Sequence, residues 1–282
     1  MSGDYQLVRL ANGANTLFSA SYGEKMHPGL GPQAEADVLY VRQLRIVERL
    51  QNQRGEFVVW DVGLGGAANA IAILRATREI CGRLRLVSFD NTTEPLEFAL
   101  RHAAALGYLM NYEGQATKLF EQHRAEFQNG ELSVIWEFQH GDFPTFLHGA
   151  PILRAPDAIL YDPFSPAKNP AMWTLPVFEG LFGVLDPRRP CALTTYSRST
   201  LLRATLLLAG FHVGTGEPSG RKEETTIAAS TPELVPRLLD SRWLERAARS
   251  DSAQPLSEAV YRREKLSPET LARLRRHPQF QL

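Results

Sequence analysis

Phe57-Val-Val-Trp-Asp61-Val-Gly63-Leu-Gly65-Gly66-Ala-Ala-Asn69 is the stretch on which the reading of this chain turns. Its first half is a short apolar run closed by an acid, the composition of a parallel strand buried on both faces. Glycines follow at once, where a missing Cβ lets the backbone bend sharply and approach a ligand closely. Residues 67–78 are then strongly helix-forming, so the order is strand, glycine turn, helix. The spacing is Gly-x-Gly-Gly, and Ala68 stands where the third glycine of a diphosphate-binding Gly-x-Gly-x-x-Gly belongs. That favours S-adenosylmethionine, which carries no phosphate, over a dinucleotide and its oxidoreductase chemistry.

Working outward, Leu84–Phe89 closed by Asp90, Val134–Phe138, Ala158–Tyr161 closed by Asp162, and Cys191–Tyr196 read as further strands. Pro95–Leu106 and Leu201–Ala209 read as helices, the second ended by Gly210. Ala34–Leu50 carries apolar residues at helical spacing and stops at Asn52-Gln53-Arg54-Gly55. Strands alternating with helices predict an α/β, Rossmann-like, mostly parallel sheet with right-handed crossovers. Phe211–Thr215 and Thr225–Ala229 predict a closing antiparallel hairpin, the variant found in methyltransferases rather than dehydrogenases. The expected organisation is strands, loops and a helix over 1–50 packed on the core, one ligand-binding domain over 51–230, and a helical appendage over 231–282, broken by Pro232, Pro236, Pro255, Pro268 and Pro278.

The 282 residues balance 31 Lys+Arg against 31 Asp+Glu, which argues against broad nonspecific nucleic-acid binding and leaves room for a local basic patch. No apolar run is long enough to span a membrane and no basic-then-apolar leader opens the sequence, so the expected location is the cytoplasm, with no membrane partner. Two cysteines, Cys81 and Cys191, make neither a disulfide framework nor a thiolate zinc site, and both read as small buried hydrophobes. No Cys/His/carboxylate cluster stands at ligand spacing, so no metal is expected.

The chemistry gathers where such sheets bind ligands, at the carboxyl ends of the strands. There Asp61, Gly63 and Gly65 form the turn, and Asp90 ends the second strand, where a carboxylate accepts ribose hydroxyls or caps the next helix. Gly141-Asp142-Phe143 follows the third strand and offers an acid and a ring to a base. Asp162-Pro-Phe-Ser-Pro-Ala-Lys-Asn-Pro170-Ala-Met-Trp173 follows the fourth, a proline-stiffened loop suited to fixing a carboxylate and aromatics. Among scattered histidines, His27 is the one singled out.

Two of these segments resemble a known family. Gly63-Leu-Gly-Gly-Ala-Ala-Asn69 resembles Gly-Phe-Gly-Thr-Gly-Leu-Asn, and residues 162–173 resemble Asp-Gly-Phe-Ala/Ser-Pro-Ala-Lys-Asn-Pro-x-Met-Trp, both of the MnmC-like methyltransferases. Thr195-Tyr196-Ser197, Ala209-Gly210-Phe211, Gly220-Arg221-Lys222-Glu223 and the segment from His27 through Gly31 to Ala34-Glu35-Ala36 extend the likeness over about residues 15–230. The resemblance implies an S-adenosylmethionine-dependent methyltransferase acting on the aminomethyl group of the tRNA wobble uridine. It implies Asp61, Gly63, Gly65, Asn69, Asp90, Asp142 and Phe143 around the cofactor, Asp162 as the catalytic residue that holds or accepts a proton from the substrate amine, and His27, Phe164, Lys168, Asn169 and Trp173 toward the substrate. Ala67, Ala68 and Pro163 depart from the pattern. The flavin-dependent oxidoreductase half of fused members has no counterpart here, so a separate oxidoreductase or pathway enzyme is expected to supply the substrate. The alternatives left open are another nitrogen or oxygen acceptor, and a non-catalytic scaffold that binds RNA or protein.

Overall fold

A computed structural model describes residues 3–149, 154–219 and 223–281. Gly220, Arg221 and Lys222, part of one resembling segment, lie outside the described residues. In chain order the strands are β1 (Tyr5–Arg9), β2 (Asn15–Ser19), β3 (Glu24–Lys25), β4 (Glu56–Val62), β5 (Gly82–Asp90), β6 (Arg124–Asn129), β7 (Leu132–His140), β8 (Ala158–Tyr161), β9 (Ala192–Thr195), β10 (His212–Gly216) and β11 (Thr225–Ala229). The first three form a small antiparallel sheet. The other eight form one sheet in the order β10-β11-β9-β8-β4-β5-β7-β6.

The centre of this sheet is parallel, and at its middle β4 and β8 carry the apolar runs Phe57–Trp60 and Ala158–Tyr161 of strands buried on both faces. Phe57 and Val59 pack into one core layer with the helix Ala68–Ala76, while Val58, Trp60 and Val62 pack into the other with Tyr161, Trp173 and Phe178. From β4 the chain winds outward through β5 and β7, then returns to lay β8 on β4's other side. The strand order therefore reverses between β4 and β8, and a ligand crevice opens at the carboxyl ends of those two strands. The predicted closing hairpin is present, with β11 antiparallel to both β9 and β10.

Two elements differ from the sequence expectation. Ala34–Leu50 is not one helix but Pro32–Ala36, a π-helical turn over Asp37–Arg42, a left-handed Arg45 at φ 52°, and a second helix Ile46–Asn52. Val38, Leu39, Tyr40 and Val41 are all buried, a wider apolar surface than one stripe of a 3.6-residue helix can face inward. The sheet also has an extra edge, β6, antiparallel to β7 across Gly130 at φ 67°. Its charged, half-exposed sequence hides the strand, although Asn129-Gly130 is a strong hairpin signal.

After β11 the chain forms the helices Ser241–Arg249 and Pro268–Arg275, separated by residues without helix. Leu239, Trp243, Leu244, Ala247 and Leu274 are buried in the second core layer. Along the free side of β10, Thr215 N donates to Arg237 O (2.9 Å) and Leu239 N to Val213 O (2.9 Å). The Gln279 amide completes the row, accepting from Val213 N (2.7 Å) and donating to Val213 O (2.9 Å) and Leu239 O (2.8 Å).

Candidate active site

The glycine turn sits at the end of β4. Gly63 lies at φ 95° and Gly65 at φ 49°, conformations that side chains resist. A Cβ on Gly63 would stand 3.0 Å from the Asp162 carbonyl oxygen, so the turn and the loop after β8 touch backbone to backbone. Ala67 occupies the left-handed region (φ 65°) where the resembling pattern has glycine, a strain of about 1 kcal/mol or more carried at the helix start. Gly63 N and Leu64 N both donate to Phe89 O at 3.0 and 3.1 Å, lacing the turn to the end of β5.

Asp90 completes that lacing. Its Oδ2 accepts from Gly65 N (3.0 Å) and its Oδ1 from Thr92 N (3.3 Å), so it braces the turn and caps the following segment at once. Burial pushes its carboxyl up, while the amides of Gly65, Thr92 and Asn91 pull the other way. After β7, the exposed Asp142 accepts from Thr145 Oγ1 (2.9 Å), and Phe143 is buried edge-on to Phe89 at 5.0 Å.

Asp162, directly after β8, anchors its own amide on Val62 O (2.9 Å). Asn69, on the first turn of the helix after the glycines, donates from Nδ2 to Asp162 Oδ2 (2.8 Å). His27 brings Nε2 within 3.4 Å of the same oxygen and 3.3 Å of Asn69 Oδ1. Burial alone would lower the His27 pKa, but Asp162, the Glu35 charge and the Asn69 bond together raise it above the ordinary imidazole value. Buried Glu35 holds the His27 loop in shape by accepting from Gly29 N (2.7 Å) and Leu30 N (3.1 Å). The Tyr40 hydroxyl on the π-helical turn is buried beside Asp162, and burial with the nearby Asp162 charge pushes its ionisation well up.

These residues share one cavity of about 770 Å³, lined among others by Gly63, Gly65, Asn69, Asp90, Asp162 and His27, with Asp142, Phe143, Phe164 and Asn169 also on its walls. The N-terminal sheet supplies one wall that sequence reading missed. Tyr22 stacks on Phe164 at 4.0 Å and 15°, Glu24 accepts from Ser165 N (3.2 Å) and Ser165 Oγ, and Tyr5, Arg9 and Met26 face the same space. No glycine or acidic motif marks these positions, so only the fold reveals them.

Three expected site residues stand elsewhere. Asp61 is fully buried on the sheet face covered by the helix Ala68–Ala76, because strand alternation turns it away from the crevice. Its Oδ2 accepts from Ser88 Oγ (2.8 Å), while Oδ1 has no partner among the described residues. Burial, reinforced by Asp162 and Asp90 against the Ser88 bond and His27, pushes its carboxyl up to about 8. Trp173 is wholly buried and donates from Nε1 to Phe164 O (2.8 Å), so it props the loop rather than facing a ligand. Lys168 is exposed and does not line the cavity, since the tight turn over Ser165–Asn169 carries it outward.

Among the described residues, no His, Cys, Asp or Glu side chains gather in a group of three that could hold a metal ion. No described helix is long and apolar enough to cross a membrane.

Comparison with known proteins agrees with this architecture. Residues 109–231 match the family described as S-adenosyl-L-methionine-dependent methyltransferase. The tRNA 5-methylaminomethyl-2-thiouridine biosynthesis bifunctional proteins MnmC of Ralstonia nicotianae and Burkholderia vietnamiensis are 32% and 31% identical over 76% and 70% of this chain. The chain spans about a third of the length of these relatives, 33% and 31%. The crystal structure of MnmC2 from Aquifex aeolicus superposes with a TM-score of 0.70 at 26% identity, covering 97% of this chain and 83% of that one. With these likenesses in sequence and in fold, the chain belongs to the MnmC-like family of S-adenosyl-L-methionine-dependent methyltransferases.

Proposed function

We propose that this chain transfers a methyl group to an amine, and that the amine is the aminomethyl group of 5-aminomethyl-2-thiouridine at the tRNA wobble position. The observation that carries the reading is the contact between the glycine turn and Asp162, which puts a cofactor cradle and a carboxylate on one wall of one cavity. The residues present fit S-adenosyl-L-methionine. The cavity has the size of a small-molecule site, and Gly63 keeps the wall open where a Cβ would meet the Asp162 backbone. On this reading Gly63, Gly65 and Asn69 frame the methionine portion, Asp90 takes the ribose, and Asp142 with Phe143 meets the adenine. When bound, the cofactor supplies an electrophilic methyl group on a sulfonium sulfur.

Asp162 then attracts the acceptor, which arrives as ammonium, and takes its proton so that nitrogen regains a lone pair. Phe164, Asn169 and the Tyr22 wall orient the acceptor, and positioning supplies much of the remaining rate. The MnmC names of the relatives point to tRNA as the substrate. On the same reading the reaction belongs in the cytoplasm, an oxidoreductase or other enzyme supplies the aminomethyl group, and residues 231–282 are an appendage to the catalytic domain. The test is transfer of labelled methyl from S-adenosyl-L-methionine to tRNA carrying 5-aminomethyl-2-thiouridine. Uptake into that nucleoside is expected, and uptake only into another pool would reject the acceptor.

Two further outcomes follow. Asp90→Ala removes the acceptor that holds Gly65 N as well as the ribose partner, and should weaken S-adenosyl-L-methionine by about 1–3 kcal/mol in a calorimetric titration. An unchanged affinity would take Asp90 out of the site. Exhaustive treatment with EDTA should leave turnover unaltered, and a loss that a metal salt restores would show that the chemistry needs an ion.

A further inference from the structure

Two side-chain contacts on the Asp162 carboxylate fall on one oxygen. Asn69 Nδ2 and His27 Nε2 converge on Oδ2, at 2.8 and 3.4 Å. The carboxylate can only accept, so Asn69 must aim its NH2 at Asp162 and its carbonyl oxygen at His27. That oxygen is an acceptor too, and therefore His27 Nε2 carries a hydrogen in either charge state. Any second proton on the ring enters at Nδ1.

We infer that Asp162 works as a divided carboxylate: His27 and Asn69 hold Oδ2, Oδ1 takes the N–H of the acceptor ammonium, and the charge on His27 governs whether it can. This rests on the amine-acceptor reading above. In the step, the N–H bond breaks toward Oδ1, the electron pair stays on nitrogen, and the carboxylic acid later releases the proton to water. Neutral His27 donates to Oδ2 and leaves the carboxylate negative and basic. Imidazolium sets a full positive charge beside it, which weakens it as a base and repels a cationic acceptor.

The groups around His27 come from several elements. Asp162 follows β8, Glu35 lies on the helix Pro32–Ala36, Asp61 on β4, and the neutral Asn69 on the helix after the glycine turn. Tyr40 on the π-helical turn and Tyr196 after β9 both sense Asp162, and burial keeps both phenols protonated through the neutral range. The surrounding carboxylates outweigh burial, so His27 titrates above the ordinary imidazole value. Turnover should therefore be lost as pH falls through that raised value. His27 is in this sense a positioning residue, acting through Asp162.

The test combines nuclear magnetic resonance of the protein saturated with S-adenosyl-L-methionine and the pH dependence of kcat/KM for the acceptor under the same saturation. His27 sits at φ 53°, a conformation asparagine tolerates well, so His27→Asn is the variant least disturbing to the backbone. In wild type, the His27 ring should show the Nε2–H tautomer and a titration midpoint above about 6.5, and the acid limb of kcat/KM should share that midpoint. In His27→Asn the limb should move down by about one pH unit or more. An Nδ1–H tautomer, a midpoint at or below the ordinary value, or an unmoved limb in active His27→Asn overturns the proposal alone. The first two readouts need only the wild-type protein, so they decide even if the variant does not fold. Wild type that binds S-adenosyl-L-methionine but methylates no amine at any pH overturns the parent reading, and this proposal with it.

Discussion

Asp162→Asn is expected to lower turnover by roughly 10²–10⁴-fold, the usual worth of a positioned acid or base, while S-adenosyl-L-methionine affinity stays within a few-fold. The substitution keeps the shape of the side chain. Its amide oxygen can still accept from Asn69 Nδ2 and His27 Nε2, so the contacts on Oδ2 survive. The NH2 group then replaces Oδ1 on the cavity side. A proton acceptor has become a donor, and the charge that drew the ammonium is gone. Single-turnover rates and a calorimetric cofactor titration separate the two effects. Turnover within about threefold of wild type would make Asp162 a loop-shaping residue and remove the main support for an amine acceptor.

Trp173→Ala should be among the most destabilising single changes in the chain, at about 3–5 kcal/mol, with a fall in Tm on the order of ten degrees. The ring is fully buried, edge-on to Tyr161 at 5.3 Å and to Tyr196 at 6.1 Å, and its Nε1 holds the Phe164 carbonyl. Trp173→Phe keeps most of the apolar volume and drops that bond, so it should cost less, about 1–3 kcal/mol. Differential scanning calorimetry on both variants checks the order. A fully stable Trp173→Ala with selective loss of acceptor binding would instead return Trp173 to the substrate-contacting role that its place in the motif suggests.

Trp173 shows where a motif stops being informative. The loop over 162–173 was legible as a ligand-side segment because prolines and an acid at a strand's end leave few other uses. Which of its residues face inward toward the core depends on packing that no linear spacing records. Asp61 makes the same point from the other side, since an acid beside a glycine turn reads as a ligand group until strand alternation buries it. The sheet was readable because the apolar runs Phe57–Trp60 and Ala158–Tyr161 lead into the glycine turn and Asp162, and Leu84–Phe89 leads into Asp90. The cavity's other wall was not, because Tyr22, Glu24 and Met26 come from the β2–β3 turn, β3 and the residue after it, in a short antiparallel unit whose place over the crevice is a long-range contact. The π-helical turn was hidden because it differs from an α-helix by the spacing of only one residue.

The row of bonds that residues 237–239 and Gln279 lay along β10 has a consequence for how this molecule keeps company with its own copies. β10 is the last strand of the large sheet, and a bare outer strand offers its amides and carbonyls as a template to any extended chain nearby. Here Thr215 N, Val213 N and Val213 O are already taken, the last two by one side-chain amide that mimics a strand residue. The opposite rim is guarded by other means, since β6 ends the sheet with Arg124 and Glu126 facing water. The C-terminal segment thus serves as a selvedge, the finished border that stops a woven sheet from being extended by its neighbour.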